Sequence, residues 1–374
     1  MQVYRRGERG PAIAEIRDKL ARLGLLPDAP GVDLFDESVD RAVRMFQQQR
    51  GLRVDGVMGP ETYRVLDEAR WRLGDRLLSH AVAHPYTGDD VAALQQRLLE
   101  MGFDPGRCDG RFGAHTEAAL REFQRNVGLT ADGILGPTTL AALQRLRRTV
   151  TGGSPSERRE EEQLRRGGSA LSGRVVVLDP GHGGDDLGAC AHGLVEAELA
   201  LDLATRVEGR LGALGVDTYL TRGEQTGPDE EDRARFANSV GADLLLSLHT
   251  DAALSEHPCG VATFYYGALH RGGHVRSVVG ERLAGLVQKE IVARTDLLDC
   301  RTHPKTWQLL RVTRMPAVRV DVGYITNAGD ATRLGTPEFR DAVAEAVVAA
   351  VQRIYLPADQ DIPTGQFRMP ALSR

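Results

Sequence analysis

Two small all-α three-helix repeats, followed by an α/β domain with a mostly parallel sheet flanked by helices, is the architecture the sequence predicts. Two observations carry it. A segment beginning at Phe46 returns at Phe123, offset by 77 residues. From Arg174 onward, short β-branched runs alternate with helical stretches. The expected boundaries are 1–75 and 84–150 for the repeats, 151–170 for a charged connector, 171–357 for the α/β domain and 358–374 for a flexible tail.

The repeated text is FQQQRGLRVDGVMGPETYRVL and FQRNVGLTADGILGPTTLAAL. Phe46 matches Phe123, Gln47 Gln124, Gly51 Gly128, Asp55 Asp132, Gly59 Gly136, and Pro60 Pro137. Upstream in the second copy, Val91, Leu94, Leu98 and Met101 recur at helical spacing, and Gly102 stops that helix. Ala119, Leu120 and Phe123 mark a second helix. Asp132-Gly133 makes a turn, and Gly136-Pro137 leads into a third. Each copy is a unit of about 60 residues, just large enough to fold alone. Both copies resemble the peptidoglycan-binding type 1 domain, on their paired FQ…GL…DG…GP…T text. The resemblance implies a shallow groove for cell-wall glycopeptide. On the plainer alternative, the units serve as spacers or protein contacts, and the repeated residues only build their core.

The connector reads TGGSPSERREEEQLRRGGSA, Gly, Ser and Pro around mixed charges. It is expected to be solvated, with one helical turn from Glu160 to Arg166.

In the α/β domain, strands are expected at VVVL before Asp179, at TYLTR around Leu220, at LLLSLH ending in His249, at VATFYY around Phe264, and at VRVDVGYI around Val320. Helices are expected near 196–214, 230–240, 275–294 and 337–355. Sites in such sheets gather beyond the strand ends. His182 lies there, in DPGHGG, after the first strand. Glu196 opens a helix in phase with Leu199 and Leu203, so its carboxylate points inward, where the helix dipole favours the ionised form. His249 ends its strand. Two imidazoles and a carboxylate leave a fourth position open on a tetrahedral zinc, the arrangement of a catalytic site. Taken singly, each residue is more often structural. A Gly-rich loop also suits phosphate, but no GxxxxGK is present.

Together these segments resemble the amidase type 3 family of zinc-dependent N-acetylmuramoyl-L-alanine amidases. The matching text is VVLDPGHGG…E, LTR, R…AN…GADLLLSLH and LLRVTRMPAV…GYITN. The resemblance implies Zn²⁺ on His182, Glu196 and His249, with peptidoglycan or muropeptides as substrate. The family's general base is a glutamate, where this chain has Asp321. That pulls the carboxylate back by roughly 1.5 Å, one C–C bond, and a misplacement near 1 Å costs on the order of a hundredfold. Arg319 shares a strand face with Asp321 and is expected to stabilise its ionised form, weakening it as a base. Asp251 stands where the family commonly has asparagine.

The full arrangement also resembles a mycobacterial group of amidase-like regulators. That resemblance implies an actinobacterial source and a cytoplasmic protein. It further implies stimulation of peptidoglycan precursor synthesis through the enolpyruvyl transferase MurA, under a serine/threonine kinase. The tail, with Pro363, Gly365 and Pro370, is not expected to pack as a helix. Thr364 is its candidate phosphosite.

Composition sets limits on these readings. At 41% hydrophobic and 26% charged, the chain is expected to fold as an ordinary globular protein. A net charge of -5 provides no electrostatic footprint for nucleic acid or an anionic membrane. No apolar run is long enough to span a bilayer. The opening MQVYRRGERGPAIAEI lacks the apolar stretch of a secretory leader, so the cytoplasm is the expected compartment. The cell-wall compartment is the alternative for a chain whose leader has been trimmed. Cys108, Cys190, Cys259 and Cys300 form no CxxC pair and are expected to be reduced structural thiols. His192, His257, His270, His274 and His303 are expected on surfaces or loops, with His303 near the cleft.

Overall fold

A computed structural model describes residues 3–27, 31–146, 155–166, 168–270, 273–356 and 361. Thr364 therefore lies outside the described residues. The chain divides into two compact units: residues 1–158 with 267–275, and residues 159–266 with 276–374.

In the first unit, α1 (Pro11–Arg22), α2 (Glu37–Gln49) and α3 (Pro60–Ala69) form one repeat, and α4 (Asp89–Glu100), α5 (Ala114–Asn126) and α6 (Pro137–Leu146) form the other. Proline opens α1, α3 and α6, where its missing N–H costs nothing. Each repeat has its own apolar core. Ile13, Ile16, Leu20, Phe35 and Phe46 are buried in the first, and Val91, Leu94, Leu98, Phe112 and Phe123 in the second.

Of the repeated polar residues, Gln47, Gln124, Thr62 and Thr139 are buried, and Asp55 and Asp132 are exposed. Gln47 on α2 reaches Asp55 Oδ1, the Val57 carbonyl and Thr62 Oγ1 at 2.8, 3.0 and 3.3 Å, and accepts from the Gly56 N–H at 2.9 Å. Gln124 on α5 does the same with Asp132, Ile134, Thr139 and Gly133 at 2.7, 3.1, 3.1 and 2.9 Å. The FQ…DG…T signature is thus a buried amide tying down the turn that follows its helix. Gln95 on α4 builds a third such knot with Asp109, Arg111, Thr116 and Gly110. The 77-residue offset hides it: it sets Gln95 against Asp18, and the seventh position of α1, which matches Gln95 in α4, is Arg17. Two bidentate ion pairs, Arg50 with Asp89 and Arg76 with Asp90, brace this unit further.

The connector carries a longer helix than the single turn expected: α7 spans Pro155–Arg165. Nor is it only solvated. Glu160 accepts hydrogen bonds from Ser277 Oγ and, at 3.1 Å, from the Val279 N–H. Leu164 packs on the α/β core. A carboxylate on two donors at a helix start explains why this segment docks.

The α/β unit follows in the order β1 (Val175–Pro180), β2 (Cys190–Ala191), β3 (Leu194–Val195), α8 (Glu196–Ala213), β4 (Asp217–Leu220), α9 (Glu230–Ser239) and β5 (Leu244–Asp251). Then come β6 (Val261–His270) and β7 (Gly273–Arg276), whose residues 267–275 are grouped with the first unit, and after them α10 (Val278–Arg294), β8 (Asp299–Lys305), α11 (Gln308–Val312), β9 (Ala317–Tyr324), α12 (Ala328–Leu334) and α13 (Pro337–Ile354). The sheet runs β4-β1-β5-β9-β6-β7, with β8 also on β6. β4, β1, β5 and β9 are parallel, and β6 runs against β9. No helix among the described residues is long and apolar enough to cross a membrane.

Alternation along the strands divides the sheet into two unlike faces. Leu244, Leu246, Leu248, Val318, Val320 and Val322 join the apolar cluster that includes Leu203, Leu283 and Val347 of α8, α10 and α13. The opposite face carries Asp179, Ser247, His249, Arg319 and Asp321. Asp179 there accepts from Thr221, Ser247 and Arg233 at 2.5, 2.6 and 2.8 Å, and all but Thr221 are buried.

Candidate metal centre

The three expected ligands converge. His182 follows the end of β1, Glu196 is the first residue of α8, and His249 lies near the end of β5, which continues two residues further than expected. One ligand atom from each lies within 4.8 Å of the others. Glu196 Oε1 is 3.1 Å from His182 Nε2 and 3.0 Å from His249 Nδ1. The imidazole rings stand nearly perpendicular, with centres 5.1 Å apart.

The local chain explains the approach. A Cβ at Gly181 would run into the His249 ring. A Cβ at Gly188, where φ is +66°, would come within 2.7 Å of the His182 ring and 2.8 Å of Glu196 Oε2. Only glycine lets these backbones pass so close. The Glu196 carboxylate is buried and accepts from the Ala189 and Thr250 N–H groups at 3.0 and 3.2 Å.

Electrostatics suit a cation. Burial alone would raise the Glu196 pKa, but His182 and His249 outweigh it and hold the carboxylate far below its usual range. Burial, helped by Arg319, lowers His249 to about 4, so its ring is neutral at pH 7. His182 is raised, chiefly by its contact with Glu196. An ionised carboxylate and two imidazoles are O and N donors of the kind that zinc, a borderline-soft cation, takes.

Sequence reasoning missed Asp186. Its Oδ2 lies 2.8 Å from His182 Nδ1, and its Oδ1 accepts from the Gly188 N–H at 3.0 Å. The signal was a carboxylate four residues past the histidine, inside the same glycine-rich loop.

Asp321 pairs in register with His249 across β5 and β9, so both leave the same face of neighbouring strands. Arg319 holds it in a fork, Nε on Oδ1 at 2.7 Å and Nη2 on Oδ2 at 3.3 Å. The guanidinium lies 4.7 Å from the Trp307 ring centre, and Trp307 packs on Phe264 at 4.8 Å. The expected ion pair is there, but its consequence for Asp321 differs. Burial raises the carboxyl to about 6, and the opposing pull of Arg319 does not cancel it. Sequence reading saw the charge and not the desolvation.

Asp251 accepts from its neighbour's N–H, Ala252, at 2.7 Å and stands at an irregularity where β5 and β9 lose register. His192, His257 and His303 are exposed; His303 packs on Phe264 at 5.9 Å. The side chains of His270 and His274 lie outside the described residues. All four cysteines are free thiols, and Cys300 Sγ donates to the Cys259 carbonyl at 3.2 Å.

Residues 176–353 match the family described as N-acetylmuramoyl-L-alanine amidase, and residues 9–66 and 87–143 match a peptidoglycan binding domain. The N-acetylmuramoyl-L-alanine amidase CwlM of Mycobacterium tuberculosis is 48% identical, over 98% of this chain and 93% of its own length. The N-acetylmuramoyl-L-alanine amidase LytC of Bacillus subtilis is 34% identical over 47% of this chain and 34% of its own. Among solved structures, the amidase AmiC2 of Nostoc punctiforme is 30% identical, covering 48% of this chain and 96% of that one, with a TM-score of 0.44.

Proposed function

The chain belongs to the N-acetylmuramoyl-L-alanine amidase family, and we propose that it hydrolyses the amide between muramic acid and L-alanine in peptidoglycan or its fragments. The observation that carries this reading is the convergence of His182, Glu196 and His249 at the strand ends, with ligand atoms within 4.8 Å. These residues would hold zinc, which supplies a Lewis acid that activates water and polarises the amide carbonyl. Asp186 accepts from His182 Nδ1, leaving Nε2 as the donor atom and fixing the ring. Glu196 contributes the one negative charge of the set. Asp321, beside His249, takes the proton from the attacking water and returns it to the leaving alanine nitrogen. Its shorter reach makes this step slow, and the Arg319 fork holds both of its oxygens. The two repeats hold the glycan strand.

The test is Asp321→Glu in a muropeptide-cleavage assay. Restored reach raises the rate by roughly ten- to a hundredfold, while Asp321→Asn leaves none. A glutamate variant no faster than the parent overturns the assignment of a short base.

The Arg319–Asp321 fork also favours a second reading. On it, the domain keeps its metal but regulates precursor synthesis from the cytoplasm, through MurA and under a serine/threonine kinase. Binding of MurA by the full chain, with no peptide release from sacculi, would select it over the first.

A further inference from the structure

Two arginines carry motif text that the proposed chemistry does not use. Arg222 ends LTR and Arg233 opens R…AN. Both side chains are buried, at 5% and 6% exposure. Neither touches a ligand atom of the metal centre. Both turn instead toward the backbone between β1 and α8.

Their bonds fall on three consecutive carbonyls. Arg222 Nε donates to the Pro180 carbonyl and Nη2 to the Gly181 carbonyl, each at 2.8 Å. Arg233 Nη1 donates to the Pro180 carbonyl at 2.7 Å, and Nη2 to the His182 carbonyl at 2.6 Å. Arg222 Nη2 also reaches the Ala197 carbonyl at 2.9 Å, in the first turn of the helix that Glu196 opens. One guanidinium thus ties the His182 loop to the Glu196 helix. Asp179 neutralises Arg233, from the strand that leads into the loop.

The loop needs such restraint. His182 sits at φ 58°, the left-handed region that side chains other than glycine seldom adopt. Such a conformation persists only where its surroundings over-determine it. The planar five-donor fork of arginine meets that need, and a lysine ammonium does not.

We infer that Arg222 and Arg233 are positioning residues of the metal centre, holding the Pro180–His182 backbone so that His182 meets Glu196 and His249. The inference rests on the metal-centre reading above. Without the forks, His182 relaxes toward ordinary backbone angles, and its ring leaves the shared point.

The test is the zinc dissociation constant of the full chain, read by chelator competition, for the parent, Arg222→Lys and Arg233→Lys. Each lysine variant keeps the charge and loses the fork. Each is expected to bind zinc about 10- to 100-fold more weakly, the usual loss when support behind a ligand is removed. Val351→Ala is the control: it opens a cavity among buried residues of α13, lowers Tm, and leaves zinc affinity unchanged. If one lysine variant fails to fold, the other decides. Lysine variants within twofold of the parent overturn the inference, as does an equal loss in Val351→Ala. A parent chain that takes up no zinc overturns the metal-centre reading itself, and this inference with it.

Discussion

The repeats and the α/β unit both bury polar side chains to hold a loop, but they do so with different chemistry. In the repeats the central group is a neutral amide. Gln47, Gln95 and Gln124 each satisfy one turn, and every partner comes from the same repeat. The buried amide spends its donors and its acceptor inside the repeat, while Asp55 and Asp132, which it holds, stay exposed. In the α/β unit most of the groups are charged. Asp179, Arg233 and Arg222 hold the backbone, while Glu196, His182 and His249 gather nitrogen and oxygen donors at one point. Networks centred on a neutral amide build a fold. Converging charged ones leave chemistry to be done.

The comparison breaks most readily at Asp179. Asp179→Asn removes the carboxylate from a buried pair and leaves Arg233 uncompensated. The expected cost is about 3–5 kcal/mol in chemical denaturation. The neutral network is the counterpart. Gln124→Met keeps the volume but strands the Gly133 N–H and the Thr139 hydroxyl, for about 1–3 kcal/mol. Equal costs at the two sites would erase the distinction between charged and neutral networks.

The smallest effect is a pH dependence. Asp36 caps α2 by accepting from the Val39 N–H and pairs with Arg17 at 3.0 Å each. Burial pushes its carboxyl up, but bonds from Ser38, Val39 and Arg17 outweigh that and bring it from 3.8 to about 2. Its folded pKa is lowered, so its contribution is complete above the unfolded value and is lost as pH falls through about 2. With the side chain 36% exposed, screening leaves about 1 kcal/mol. Trp71 and Trp307 are the two tryptophans of the chain, so Trp307→Phe leaves Trp71 fluorescence to follow the repeats. The unfolding free energy from urea titrations should fall by that amount between pH 4 and 2, and Asp36→Asn should flatten the curve. An unchanged slope in the variant would remove Asp36 from the account.

Much of this was legible in the sequence, for identifiable reasons. The long elements carry strong periodic signals: α8 through Leu199, Leu203, Val207 and Leu211, and β5 through its leucines. The short ones do not. β2, β3, α11 and α12 are two to seven residues long and hold few apolar positions, so they escaped. β8 alternates weakly, with exposed Asp299, Arg301 and His303. The start of α10 was expected at 275 but begins after Ser277, whose hydroxyl caps the Gly280 N–H at 2.9 Å. At the site, residue types and strand ends located His182, Glu196 and His249. The restraint by Arg222 and Arg233 left no such trace, because its acceptors are backbone carbonyls that any sequence has. The raised Asp321 carboxyl was hidden for another reason: burial is a property of the packed sheet, and the Arg319 charge was all that the strand text displayed.

The central claim is that three side chains make a working zinc centre. It is tested most directly by zinc content measured on the purified full chain and on His249→Ala, with peptide release from sacculi followed in the same samples. The account expects one zinc per parent chain and measurable release. In the variant it expects loss of the metal and a fall in release of at least about a hundredfold, beyond that for an outer partner of a ligand. Release that persists in a folded, zinc-free His249→Ala chain would contradict it.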